Sequence, residues 1–449
     1  MKRFCMTVVV AGMAAVGPAD AGGAWRQIST PQQSSTSQIG TFRTGDGVLH
    51  VAWQQRTGPT AYSLMHTGIR PNGVSGVTTP VVTGFVGVQD VALARISGRL
   101  EAFFTGQRTT DTTDPFIGLL RAFTPDGGTS WGLGQPVART PYVHGRTASI
   151  TPNGWLQTWY EIGETVLHAG YDPATPLTRL YAAGSTACCA YQQNVAASPT
   201  QAIVAWCSGI SAPSGLFAHA VHPTTGAAIG APMLLPGSQG RICEAAGRVP
   251  LVLRVGGGFY VAEAVGRSAN RVGLWRVGSS AMGIMASGVA AKRTVALAAA
   301  PDGRLWVAWT QVGSSRIFFR RSNRATTRFG EVVSLVRPRG QIEATELDIA
   351  AQGDRLDVLA RYGAIAGVTL LHNQVYPGLT LQVSGADVAR FRVLDAGDPV
   401  RGATVRVGRR AVQTNGAGVA TLDLPRGRYA ATASKREFVS HTARFRIRR

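Results

Sequence analysis

The chain has 449 residues, more than one ordinary domain uses, and 45% of them are hydrophobic, which excludes a disordered polymer and allows a large core. Gly (55) and Pro (23) are frequent and no stretch carries sustained helical periodicity with caps, so the composition points to short strands joined by tight turns. Lys and Arg number 45 against 24 Asp and Glu, a formal charge of +21 that favours anionic neighbours; no nucleic-acid motif accompanies it, so specific nucleic-acid binding is not expected.

Residues 1–21 read as a signal peptide. Lys2 and Arg3 give the positive flank, residues 4–16 the apolar stretch, and Ala19-Asp20-Ala21 a small-residue cleavage site. The apolar stretch is shorter than the roughly 20 residues a spanning helix needs, and no second one follows. A secreted chain without a transmembrane segment is expected, either free or held at the cell surface.

Residues 22–375 repeat one pattern: an apolar strand, a turn rich in Gly, Asp, Asn or Pro, and a second strand that ends near an aromatic residue. The copies lie at 42–53, 91–104, 148–159, 195–206, 251–263, 295–309 and 347–360. Their register positions are Trp53, Phe104, Trp159, Trp206, Glu263, Trp309 and Ala360, separated by 51, 55, 47, 57, 46 and 51 residues. So even a period predicts four-stranded propeller blades, and seven copies predict a seven-bladed β-propeller. Residues 24–39 are expected to add an outer strand that closes the ring.

Within the second repeat, Thr124-Pro-Asp126-Gly-Gly128-Thr-Ser-Trp131 resembles the Asp-box of sialidase-like propellers, S/T-x-D-x-G-x-T-W. The resemblance implies that Asp126 caps a hairpin through backbone amides and that Trp131 packs inside the blade. In the fourth and fifth repeats stand Cys188, Cys189, Cys207 and Cys243. Four cysteines in an exported chain suggest structural disulfides, and three pairings remain open.

The periodicity changes after Tyr376, and residues 376–449 are expected to form a small C-terminal β-sandwich. Asp395, Gly397, Pro399, Val400, Gly402, Ala403 and Val405, then Thr414, Asn415, Gly418 and Ala420, then Leu424, Pro425, Gly427 and Tyr429 follow a known pattern. The segment resembles carboxypeptidase-regulatory-like and bacterial Ig-like modules, which are not peptidases. It holds 13 Arg and one Lys against five acidic residues, a net of +9. Such clustering suits attachment to an anionic surface.

In a propeller, the residues before each inner strand and after each second strand emerge on one face. Asp90, His144 and Arg146 precede inner strands; Arg56, Arg108, Tyr160, Glu161, Glu263 and Arg361 follow second strands. Residues 191–194 and 343–346 share that face. Guanidiniums, carboxylates and tyrosines together suit hydroxyl-rich or anionic ligands. The sialidase-like resemblance would cast Arg56, Arg108 and Arg361 as a carboxylate-binding triad, Tyr160 and Glu161 as nucleophile and base, and Asp90 as acid. Against it, adjacent Tyr and Glu on a strand point to opposite faces. The family also has six blades, several boxes and an early Arg-Ile-Pro signature. No H-E-x-x-H, phosphate-binding Gly-rich loop or metal-ligand spacing occurs, so neither a metal nor a cofactor is expected. The expectation is a monomeric, secreted binding or adhesion protein for a glycan or anionic cell-surface polymer; the alternatives are a sialidase-like glycoside hydrolase and a structural envelope scaffold.

Overall fold

The computed structural model describes residues 19–20, 22–31, 38–139, 149–161, 164–172, 174–180, 190–208, 214–240, 248–266, 268–364, 367–385 and 387–448. Every regular element among them is a β-strand. The hairpins arise from alternating apolar strands that meet at turns with a built-in side-chain clasp. At Thr44–Val48, Thr151–Trp155 and Ala300–Arg304 the chain reverses in the same way. Asp46, Asn153 and Asp302 each accept the amide two residues on, at 3.2 Å, and Gly47, Gly154 and Gly303 follow at positive φ.

These hairpins build seven sheets, each with its first three strands side by side in chain order. Blade 1 comprises Gly40–Arg43, Leu49–Arg56, Tyr62–Ile69 and Thr79–Phe85. Blade 2 comprises Gly87–Ile96, Arg99–Gln107 and Ile117–Thr124, with Gly132–Leu133 and Ala138–Arg139 outside. Blade 3 holds Ser149–Ile150, Leu156–Glu161, Glu164–Ala169 and Thr178–Leu180. Blade 4 holds Ala190–Ala197, Ala202–Ser208, Gly215–Val221 and Ala228–Leu234. Blade 5 holds Leu251–Leu253, Phe259–Val265, Arg271–Arg276 and Met282–Ser287. Blade 6 holds Lys292–Ala299, Leu305–Gln311, Arg316–Arg321 and Val333–Val336.

Blade 7 has three strands of its own, Ala344–Gln352, Arg355–Ala364 and Gly367–Val375. Its outer strand is the N-terminal Arg26–Gln27, paired with His372 and Leu371. The Ile28 amide donates to the Leu370 carbonyl at 2.9 Å, and the Leu370 amide donates to Ser29 Oγ at 2.9 Å. The chain thus stitches its last blade with a strand from its N-terminal segment, as the sequence predicts for residues 24–39. Ala19–Asp20 adds a parallel strand outside blade 6. That pair lies in the stretch expected as signal peptide, whose other residues lie outside the described ones.

Packing closes the ring. The apolar core divides into clusters that each bridge two neighbouring blades: 1 with 2, 2 with 3, 3 with 4, 4 with 5, 5 with 6, 6 with 7, and 7 with 1. A four-stranded sheet cannot cover both its apolar faces alone, so each blade must bury them against two neighbours. Trp53, Phe104, Trp159, Trp206 and Trp309 are at most 3% exposed at these seams. The molecule is a seven-bladed β-propeller.

A β-sandwich follows. One sheet joins Thr380–Ser384, Val388–Asp395, Asp398–Pro399 and Val419–Asp423; the other joins Thr404–Val407, Arg410–Gln413, Gly427–Ser434 and His441–Ile447. Phe391, Val405, Ala431 and Ile447 fill its core. Local bonds explain several of the motif residues: Thr414 Oγ1 donates to the Val400 carbonyl at 2.6 Å, Asn415 Oδ1 accepts the Val419 amide at 3.0 Å, and the Tyr429 hydroxyl donates to the Pro425 carbonyl at 2.8 Å. The sandwich docks on blade 6 through buried charges. Arg304 reaches Asp398 at 2.6 Å and Asp395 at 3.3 Å, and Arg321 pairs with Asp395 and, at 2.8 Å, with Asp354.

Candidate functional site

The inner strands of all seven blades line a central channel with a cavity of about 800 Å³. Away from the mouth its wall is mostly apolar, with Leu93, Ala196, Leu253, Leu297 and Ala350, and Arg43 is the charged exception. Its mouth is polar. Gln38, Ser149, Gln192, Asn194, Arg248, Glu263, Arg293, Thr345, Glu346 and Arg361 stand there, at the ends where inner strands start and second strands stop.

Backbone irregularity aims several of these groups. The pairing of inner with second strand shifts register in blade 2 between Gln89 and Ala92, in blade 4 between Tyr191 and Asn194, in blade 6 between Lys292 and Val295, and in blade 7 between Ala344 and Glu346. Asp90 and Gln192 adopt φ of 53° and 60° within two of these bulges. Non-glycine residues held in that region turn their side chains away from the regular alternation, and such bulges concentrate at sites.

The electrostatic centre of the mouth lies on blade 7. Glu346 accepts the Ile39 amide at 2.6 Å and pairs with Arg361 at 2.7 Å. Two residues along, Asp348 accepts the Thr41 hydroxyl at 2.7 Å and the Ile349 amide at 2.8 Å. Burial pushes both carboxyls above their ordinary range; Arg361 offsets this most for Glu346, and Arg248 most for Asp348. Arg248 precedes blade 5, yet its Nη2 donates to the carbonyl of Ile39, beside blade 1, at 2.8 Å. Blades 5 and 1 are not neighbours, so this guanidinium reaches across the channel mouth. Arg293, at the start of the inner strand of blade 6, holds both oxygens of Glu343 at 3.1 Å.

The residues singled out from sequence fall into distinct groups. Glu263 and Arg361 line the cavity, both nearly fully buried. Asp90 sits at the rim, where it accepts the Gln38 amide at 3.3 Å. Arg56 turns back on its own loop, bonding the Gly58 carbonyl at 3.0 Å and that of Pro59. Arg108 pairs with Asp114 at 3.0 Å and lies over the Phe116 ring. Neither Arg56 nor Arg108 lines the cavity, so the three arginines cast as a triad are not brought together. Tyr160 and Glu161 end the second strand of blade 3; their side chains lie outside the described residues, as do His144 and Arg146 entirely. Cys207 is fully buried and disulfide-bonded, while Cys188, Cys189 and Cys243 lie outside the described residues.

The hairpin at 124–131 sits between the third and outer strands of blade 2, away from the mouth. Asp126 Oδ1 accepts the Thr129 and Ser130 amides at 3.0 and 2.9 Å and the Thr124 hydroxyl at 2.7 Å. Led by the Ser130 amide, these bonds hold its carboxyl far below the usual carboxylate range. Trp131 donates to the Gly128 carbonyl at 3.2 Å and packs on His66 of blade 1.

Sequence reasoning missed Arg248, Thr41 and Asp348. Arg248 obeys the same rule as the others, since it precedes an inner strand. Asp348 carried a signal in the alternation of Glu346 and Asp348 with Leu347 and Ile349, which marks one polar face of a strand. Among the described residues no group of three His, Cys, Asp or Glu is placed to hold a metal ion, and no helix is long and apolar enough to cross a membrane.

No protein-family model matches this chain, and no curated protein matches it. Among solved structures, it is similar to a protein of unknown function from Dyadobacter fermentans, with a TM-score of 0.45 and 12% identity over 78% of this chain and 99% of that one. It is also similar to the polysaccharide lyase Uly1, with a TM-score of 0.42 and 11% identity over 82% of this chain and 94% of that one. Both scores are too low to carry fold or function across, and the propeller rests on its own sheet order and packing.

Proposed function

We propose that this is a secreted binding protein whose propeller mouth takes a glycan, with the basic sandwich as its attachment module. One observation carries the reading: a channel lined by all seven blades, with amides, carboxylates and guanidiniums mixed at its mouth and mostly apolar side chains along the rest of its wall. Hydroxyl-rich ligands need donors and acceptors interleaved at close range, with an apolar surface beneath for the sugar ring. The signal peptide, the Asp-box identity of the 124–131 turn, the Ig-like kinship of the sandwich and a disulfide from Cys207 to Cys188 or Cys189 belong to the same proposal, as does a monomeric state.

The hydrolase reading has less support. Arg56 and Arg108 are bonded within their own blades, and Glu346 and Asp348 already have their oxygens engaged. A glycan array probed with the full chain tests the binder. Arg248→Ala and Asn194→Ala are expected to weaken the strongest hits about tenfold or more, which corresponds to about 1.4 kcal/mol. Unchanged binding in both variants would remove the channel mouth as the site. Release of a reporter sugar by the purified protein would instead favour hydrolysis.

A further inference from the structure

The second sheet of the sandwich carries a basic face with no part in the channel mouth. Opposed residues in an antiparallel pair share a face, as do residues two apart along a strand. The register sets Arg406 opposite Thr432, Thr432 opposite Thr442, Ala430 opposite Arg444 and Arg428 opposite Arg446. Arg406, Arg428, Arg444 and Arg446 therefore share one side of the sheet, and all are exposed. Val405, Ala431, Ala433 and Ile447 project from the other side into the core. No acidic residue occurs on any of the four strands.

We propose that this face binds a polyanionic polysaccharide, a chain bearing repeated carboxylate or sulfate groups. The proposal rests on the attachment reading above and assigns it to one surface and one class of polymer. Arginine's planar fork meets such oxyanions with two parallel bonds. Neighbouring strands lie ~4.8 Å apart and alternate residues ~6.8 Å apart along a strand, so the arginines form a grid suited to spaced charges rather than a single ion. Arg428 and Arg446 oppose each other directly, a like-charge pair that weakens the sheet until an anion bridges it. Single-stranded nucleic acid calls for aromatic platforms, and a membrane surface calls for apolar side chains that enter the headgroup layer. Between these arginines stand Ala430, Thr432 and Thr442, which offer neither.

The test uses the full chain on immobilised polygalacturonate and heparin, with phosphatidylserine vesicles and single-stranded DNA as comparison surfaces. Arg428→Ser with Arg446→Ser removes two charges from the face. Arg390→Ser with Arg392→Ser removes two exposed charges from the other sheet. At about 0.15 M salt the first variant is expected to bind about tenfold more weakly, and the second to stay within about twofold of the parent. Equal losses, or no loss in either, overturn the face. Parent binding to vesicles or DNA as tight as to the polysaccharides overturns the polymer class. A parent chain that binds none of the four surfaces removes the attachment reading itself, whereas the glycan-array result for the channel is unaffected by any of these outcomes. Thermal melts of both variants at the parental midpoint confirm that the loss comes from the surface and not from unfolding.

Discussion

His66 shows how one buried side chain ties the fold to pH. It stacks on His50 at 5.2 Å between ring centroids, with Nε2 at 3.0 Å from His50 Nδ1, and Trp131 meets it edge-on. Burial, then the neighbouring His50, lowers its pKa to about 3. The unfolded chain takes up this proton near pH 6.5 and the folded chain does not, so stability is full above about 6.5 and falls as pH drops toward about 3. Urea melts between pH 3 and 7 should show that slope, a loss on the order of a few kcal/mol, and His66→Gln should flatten it. Identical slopes in both chains would mean that His66 does not titrate as its surroundings require. Asp357 works in the same sense, since its carboxyl is also held below its ordinary value and its stabilisation is lost as pH falls. Burial pushes its carboxyl up, but the His372 hydrogen bond, the Arg43 guanidinium and the Gln374 amide together hold it below its ordinary value.

At the level of single elements, the 124–131 hairpin joins blade 2 to blade 1. Thr79 Oγ1 donates to the Gly128 carbonyl at 2.6 Å, and the His66 ring lies against Gly128 itself. Gly128 has φ of +104°, and a Cβ there would lie 2.1 Å from His66 Cε1. Gly128→Ala is therefore expected to destabilise the protein by about 2 kcal/mol or more, measured by chemical denaturation. An unchanged midpoint would show that the seam yields. The motif was readable in the sequence because its work is local: Thr124, Asp126 and Ser130 bond within a few residues of one another. Its contact with His66, 62 positions away from Gly128, was not readable, because that contact depends on how two blades meet.

The whole molecule is a ring with a sandwich fixed to it. Arg304 and Arg321 are at most 5% exposed, and Asp395 joins them across the junction. Burial pushes the Asp395 carboxyl up while Arg321 and Arg304 pull it back. Asp395→Ala would remove the carboxylate that the two buried guanidiniums share, leaving Arg304 to Asp302 and Asp398 and Arg321 to Asp354, so a loss of about 2 kcal/mol is expected, with earlier proteolytic release of the sandwich. Unaltered proteolysis and stability would mean the docking rests on other contacts. Asp395 belongs to the motif read from sequence, but its partners lie 74 and 91 positions away in a different fold unit.

Seven evenly spaced hairpins, turn residues at matching places and a change of pattern after residue 376 were properties of the sequence alone, because strand alternation and turn chemistry act over a few residues. That residues from the starts of inner strands and the ends of second strands would gather on one face also followed from strand order. Which of them meet was a tertiary matter. Arg361 and Glu263 entered the channel, while Arg56 and Arg108 found nearer partners in their own loops. Arg248 crossed the mouth to Ile39 because ring closure brings positions 209 residues apart within one hydrogen bond. Long side chains take whichever oxygen the closed ring places within reach, and that choice is absent from any local pattern.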